Sequence, residues 1–310
     1  MRTLIFLCVF SLFPATIVVA DEDTGQGTAQ DPEAFAVALQ TALDTPGSPY
    51  QLQVNCTDEK GIRSFNLFPG GVAVWNGRSQ LVVPVATRSE LLKSLLDRDF
   101  PSFEARYGGG DRPDKKAAPA RVTCRIWAKI GEMRKSSAQL AGGEQSAMMT
   151  GLAAELIDLV EPFAEKGVTP ENLPDALGKL ADGQLAPECL GLRFVDLPAR
   201  DYTSPGTITR IRGGRISLQA YAPGRNVAEQ NRKPLGNDEF MELIAALVAA
   251  EPSSLPGNLW SEDQLEFELQ VLGHKKVVLA RPFTRLAGKE SSPAQQRFDA
   301  LLLVLRELSR

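Results

Sequence analysis

Two kinds of apolar spacing alternate along the chain, and they do so twice in the same order. "DPEAFAVALQTALD", from Asp31, has the marks of a helix start: Asp31 caps, Pro32 occupies the first turn and Glu33 lies near the positive end of the dipole. "LQVNC" then switches to a period of two, with Leu52, Val54 and Cys56 alternating with polar neighbours, so one face of a strand is buried. "FNLFPGGVAVW" predicts a hairpin turning at Gly70-Gly71, where positive φ is needed between β-branched and aromatic residues. The edge segment "SQLVVPVA" precedes a helix predicted from Ser89, whose apolar stripe is Leu91, Leu92, Leu95 and Leu96. A second hairpin, "RVTCRIWAKIGEMRKSSAQLAG", and a last helix capped by Ser146 close the unit.

The succession then returns. "TPENLPDALGKLAD", from Thr169, matches the first helix at an offset of 138, setting Pro170, Glu171, Leu177 and Asp182 on Pro32, Glu33, Leu39 and Asp44; Thr169 is the expected cap. At the same offset Leu190, Leu192, Phe194 and Asp196 fall on Leu52, Val54, Cys56 and Asp58. After a small insertion, Gly213-Gly214 of "ITRIRGGRISL" take the place of Gly70-Gly71. Phe240-Met241 take that of Leu91-Leu92, in a stripe continued by Ile244 and Leu247. "LEFELQVLGHKKVVLARPFTRLAG" repeats the second hairpin. "LAGGEQS" at Leu140 returns as "LAGKESS" at Leu286, a strand-to-helix junction, and the closing helix, capped by Ser292 with Pro293 behind it, carries Phe298, Leu301, Leu302 and Leu305.

A period near 140 residues is too long for a solenoid unit, so each copy is expected to hold its own core. The order of elements predicts an α+β fold: two tandem similar domains, 31–168 and 169–310, each an antiparallel sheet with helices packed on one face. The irregular insertion Glu104–Ala120 of the first copy reads as a surface loop.

The N-terminus adds a compartment. Arg2 followed by an apolar stretch from Leu4 to Val19, with small residues before Asp21, predicts a secretory signal over residues 1–20 and a polar lead, 21–30, at the start of the mature chain. A membrane anchor is the alternative, disfavoured because the run is shorter than a typical span. With 43% hydrophobic and 23% charged residues the chain is globular, and 34 Lys and Arg against 38 Asp and Glu argue against a general nucleic-acid or anionic-membrane binder. The expected location is periplasmic or extracellular, with no transmembrane segment in the mature chain.

Candidate chemistry is sparse. The sole histidine, His274, falls in a predicted turn, "LGHKKV", and the chain lacks HExxH, a Gly-x-Ser-x-Gly elbow, a Walker A loop and a dinucleotide fingerprint. Catalytic residues, cofactors and metal ligands are therefore assigned to none. The carboxylates that recur in both copies, Glu33/Glu171, Asp44/Asp182, Asp58/Asp196 and Glu144/Glu290, fall at element ends and read as caps and turns. A hydrolase built on paired acids or a lone thiol is the competing class. Cys56 and Cys124 lie on apolar faces of predicted strands, as a cross-strand disulfide or as two buried thiols, which leaves Cys189 over. Arg210, Arg212 and Arg215 surround a hairpin tip that can take an anionic partner, or is simply a solvated face.

"FNLFPGGVAVWNG" resembles the first hairpin of small bacterial exported domains of unassigned function. "LEFELQVLGHKKVVLARP" with "AQQRFDALLLVLREL" resembles the ending of emfourin-type inhibitors of metalloproteases. The resemblance covers the later half of each copy and implies an inhibitory or protein-binding role. The expected function is an exported, non-enzymatic module that binds another exported or envelope protein, a protease being the sharper case. An envelope structural or small-ligand-binding protein is the alternative.

Overall fold

In a computed structural model, the described residues are 31–58, 61–108, 122–141, 146–197, 206–221, 230–281 and 292–309. The expected signal segment, most of the Glu104–Ala120 insertion and most of the two "LAG" junctions lie outside them. No helix among the described residues is long and apolar enough to cross a membrane.

The first repeat runs α1 (Pro32–Asp44), β1 (Tyr50–Asp58), β2 (Gly61–Leu67), β3 (Val72–Trp75), β4 (Ser79–Val82), α2 (Val85–Asp97), β5 (Arg106–Tyr107), β6 (Val122–Ile130), β7 (Met133–Leu140) and α3 (Ala147–Val160). The second runs α4 (Leu173–Ala181), β8 (Leu190–Leu197), β9 (Gly206–Arg212), β10 (Arg215–Tyr221), β11 (Gln230–Pro234), α5 (Asn237–Ala250), β12 (Asn258–Trp260), β13 (Gln264–Val271), β14 (His274–Arg281) and α6 (Pro293–Leu308). Each forms a seven-stranded sheet, and the strand orders, β4-β3-β2-β1-β6-β7-β5 and β11-β10-β9-β8-β13-β14-β12, are the same path traced twice. The sheets are antiparallel except at one edge, where the short strands β5 and β12 run parallel to β7 and β14.

Alternation makes one face of each sheet apolar, and three helices cover that face. Leu52, Val54, Phe65, Leu67 and Ile126 meet Leu39 of α1, Leu91 and Leu95 of α2, and Leu152 and Leu156 of α3 in one cluster. Leu190, Leu192, Phe194, Phe267 and Leu269 meet Leu177 of α4, Leu243 and Leu247 of α5, and Phe298 and Leu305 of α6 in another. Two clusters, one per sheet, are what a duplicated domain requires. The copies even share a costly backbone detail. Asp99 after α2 and Glu251 after α5 both take left-handed φ, 54° and 46°, and each leads into a short 3₁₀ turn starting at Phe100 or Pro252.

Two predicted helix starts and one predicted stripe position change. Thr169 does not cap the second repeat's first helix; Asn172 does, accepting the Asp175 N–H at 2.9 Å. The reason lies in the preceding residues: Val168 is drawn onto the β4 edge, where it exchanges both backbone hydrogen bonds with Gln80, at 3.0 and 2.7 Å. Helix α2 starts at Val85, directly behind Pro84, rather than at Ser89: Pro84 is the N-cap, bringing no N–H of its own, and its carbonyl accepts the first helical bond from Arg88 N at 2.9 Å. In α5 the buried side of the stripe is Phe240, Leu243, Ile244 and Leu247, while Met241 points outward at 42% exposure. The other caps fall where the pattern puts them: Asp31, Ser146 and Ser292 accept from Glu33, Met149 and Gln295.

Candidate functional site

The helices cover one face of each sheet; the other face is where the two repeats differ. Tracing side chains outward from β1 gives Gln51, Gln53, Asn55 and Thr57. From β2 come Ile62, Ser64 and Asn66, and from β6 come Thr123, Arg125, Trp127 and Lys129. Their partners Leu52, Val54, Cys56, Ile126 and Ala128 point inward to the core, so period-two alternation fixes this outward set.

Register lines up one row across the sheet. Gln80 lies opposite Val74, Val74 opposite Asn66, Asn66 opposite Gln53, Gln53 opposite Trp127 and Trp127 opposite Ser136. Arg125 and Lys129 flank Trp127 on the same strand, roughly 7 Å to either side at strand rise. Among the described residues, no Asp or Glu occupies an outward position of β1, β2, β6 or β7. The surface is a half-exposed patch of amides and hydroxyls with an indole at its centre and cations beside it. Trp and Arg are residue types enriched, and carboxylates depleted, where protein surfaces meet.

At the equivalent face of the second sheet the charges are satisfied internally. Glu266 and Glu268, on β13, stand where β6 has Thr123 and Arg125, and Gln270 stands where it has Trp127. Arg193 pairs with Glu266, Lys275 with Glu268 at 2.7 Å, and Arg210 donates to Gln219 at 2.9 Å. Two copies of one scaffold thus carry one neutralised face and one cationic, aromatic face.

The second repeat also borders the first repeat's face. Val74 packs against the second core, and the Gln80 side chain is buried at the joint. There its Oε1 accepts from Ala186 N at 2.6 Å and from the Cys189 thiol at 3.1 Å, while Nε2 donates to Gln184 O. Ser79 and Thr169 share a hydrogen bond at 2.7 Å, and His274 Nε2 lies 3.1 Å from Pro170 O. The row from Gln80 to Ser136 therefore runs from a corner made with the second repeat out to the far side of β7.

The residues singled out by sequence fall mostly elsewhere. Cys56 and Cys124 face each other across β1 and β6 and are joined by a disulfide. In the second repeat the same cross-strand position is filled by Phe194 opposite Phe267. Cys189 is buried just before β8, and burial, then Glu188, push its thiol up to about 12, so it is held as a neutral donor. Arg212 and Arg215 are register partners at the β9–β10 turn, but Gly213 beside them lies against Phe68 of the first repeat. That tip belongs to the joint between repeats, and Arg210 is occupied by Gln219. Asp196 holds Arg306 at 2.8 Å, and Asp263 holds the same guanidinium at 2.9 Å, which ties α6 to the sheet. Asp31 and Asp175 serve helix starts, and Glu144 and Glu290 lie outside the described residues.

No group of three or more His, Cys, Asp or Glu that could hold a metal is found among the described residues. A crevice between Ser48, Tyr50, Arg88 and Ser89 has a volume of about 10 Å³, room for roughly one water. Neither a family model nor a curated protein matches the chain.

Trp127 and its amide neighbours were not among the sequence candidates. The signal was in the duplication itself: once the second hairpins are laid in register, Arg125 and Trp127 stand opposite Glu268 and Gln270, a reversal of charge and polarity at positions whose inward neighbours stay apolar.

Proposed function

We propose that this chain is a non-catalytic binding module acting outside the cytoplasm, in which the first repeat presents its helix-free face to another protein and the second repeat braces that face. The observation that carries the reading is the divergence between two copies of one fold. Their cores and strand orders are kept, while the outward positions of β6 have become Thr, Arg and Trp against Glu, Glu and Gln in β13. A surface that served only solubility gains nothing from a half-exposed indole and the loss of carboxylates. Cys189, at the joint, and Asp196, on β8, are both engaged in holding the fold.

The test is quantitative capture from an exported-protein fraction with the mature chain, Trp127→Ala and Gln270→Ala side by side, followed by protease assays of what is recovered. The expected result is a reproducible protein partner retained by the parent chain and Gln270→Ala and lost by Trp127→Ala. Equal recovery by all three, or turnover of a small substrate by the purified chain, overturns the reading. Inhibition of a recovered protease would give the role that the emfourin resemblance implies.

A further inference from the structure

Resting on the reading of this face as protein-binding, we infer that its occupant is an extended, carboxylate-bearing segment of the partner polypeptide, seated across β1, β2 and β6 with an apolar or aromatic side chain on Trp127. Three observations select that chemistry.

The first is charge. Arg125 is exposed and Lys129 half-exposed, on either side of Trp127, and no outward carboxylate of the described β1, β2, β6 or β7 residues neutralises them. In the second repeat the position matching Arg125 is Glu268, paired with Lys275, and the position matching Lys129 is the apolar Leu272, so the cationic character belongs to this face and not to the fold. The whole chain is net negative, at −4, which makes a local cationic strip a selective feature for an anionic group.

The second is size. Four strands at 4.8 Å spacing and about five residues of length give a patch of roughly 15 by 17 Å, about 250 Å², well short of the ~800 Å² per partner of a standard globular interface. A single extended chain fits such a strip, and the corner with the second repeat at Val74 and Gln80 limits it at one end.

The third is the kind of polar group. Gln51, Gln53, Asn55 and Asn66 each offer a donor and an acceptor, which suits the alternating N–H and C=O of an extended backbone. A polysaccharide or single-stranded nucleic acid lying along the face would use successive rings as stacking platforms. Here Trp127 is the one aromatic residue among the outward positions described.

The experiment measures fluorescence anisotropy of a labelled sixteen-residue peptide, of alternating Glu and Leu broken by Gly, against the full mature chain at 20 mM and 200 mM salt. A Gln-for-Glu version of the peptide and labelled polygalacturonate are run in parallel. The expected result is binding of the Glu peptide that weakens at least tenfold at the higher salt. It weakens a further tenfold or more in Arg125→Glu/Lys129→Glu and in Trp127→Ala, and is unchanged in Arg212→Glu, an exposed cation of the second repeat's hairpin tip. Circular dichroism of each variant confirms that it is folded, and Trp127→Phe is expected to keep most of the affinity. Equal binding of the Gln peptide, lost in Trp127→Ala, overturns the charge selection and leaves the protein-binding face standing. Binding of polygalacturonate but not of the peptide overturns both the segment and the protein partner. Loss in Arg212→Glu moves the site to the hairpin tip, and no binding of any probe overturns the inference.

Discussion

Reducing the Cys56–Cys124 disulfide should loosen the first repeat and leave the second as it was. The bond closes a loop with a sequence separation of 68. Chain entropy for a loop of that length corresponds to about 4.4 kcal/mol at 25 °C, within the usual 2–5 kcal/mol for a native disulfide. In amide exchange under conditions where reclosing is fast, that loss appears as roughly a thousandfold fall in protection of the most stable amides. Those amides lie in β1 and β6, which the disulfide joins, and in β2 hydrogen-bonded alongside β1. The corresponding strands β8, β9 and β13 carry Phe194 opposite Phe267 at the same place, so a reductant has nothing to act on there. The assay is hydrogen exchange with and without a phosphine reductant, read by peptide across both repeats. A fall of less than tenfold in the first repeat, or an equal fall in both, would refute the reasoning that two separate cores are stabilised by different means at one equivalent position.

Other consequences follow from the same packing. Phe267→Ala removes a fully buried ring from the second core and should cost about 3–5 kcal/mol in urea unfolding, lowering protection in β8 and β13 while β1 and β6 hold. Gln80→Ala strips the joint of an acceptor for Ala186 N–H and the Cys189 thiol. It should cost about 2–3 kcal/mol and let protease cut between α3 and α4 before either repeat unfolds. Cys189 should resist iodoacetamide at pH 8 in the native chain and react on unfolding. Its raised thiol pKa sets the sign of a pH effect. Stability from this group is intact below its ordinary pKa near 9 and declines between pH 9 and about 12, where the unfolded chain ionises and the folded one does not, by up to ~1.4 kcal/mol per pH unit. Cys189→Ser, followed by thermal melts at pH 8 and 10.5, checks it: the pH difference should shrink in the variant.

Much of this architecture is written in short-range pattern. The alternation of Leu52, Val54 and Cys56, the glycine turns and the serine caps are local rules that each element obeys by itself, so the elements and their succession follow from repeating them. What pattern could not carry was competition between neighbours. Thr169 has the form of a helix cap, yet the chain before it is captured by the β4 edge and Asn172 takes over. Met241 fits an apolar stripe by type but misses it by a turn angle, and the buried role passes to Leu243. The parallel edge strands were unreadable because Arg106–Tyr107 and Asn258–Trp260 are too short to show a period. The arginines of the hairpin tip drew attention as a charge cluster. Their setting, with Phe68 against Gly213 and Gln219 beside Arg210, depends on contacts from distant parts of the chain. Conversely the Trp127 face has no motif at all; it emerges only when sheet register places Gln53, Asn66 and Trp127 in one row and the second repeat supplies the comparison.

The proposed function places another protein on the first repeat's outer face. A photo-reactive phenylalanine analogue placed at position 127, and in a second chain at its counterpart 270, with each protein expressed in its own host and irradiated, tests that directly. A discrete protein adduct from position 127 and none from 270 is the predicted result; an adduct from 270 alone, or equal labelling from both, would contradict it.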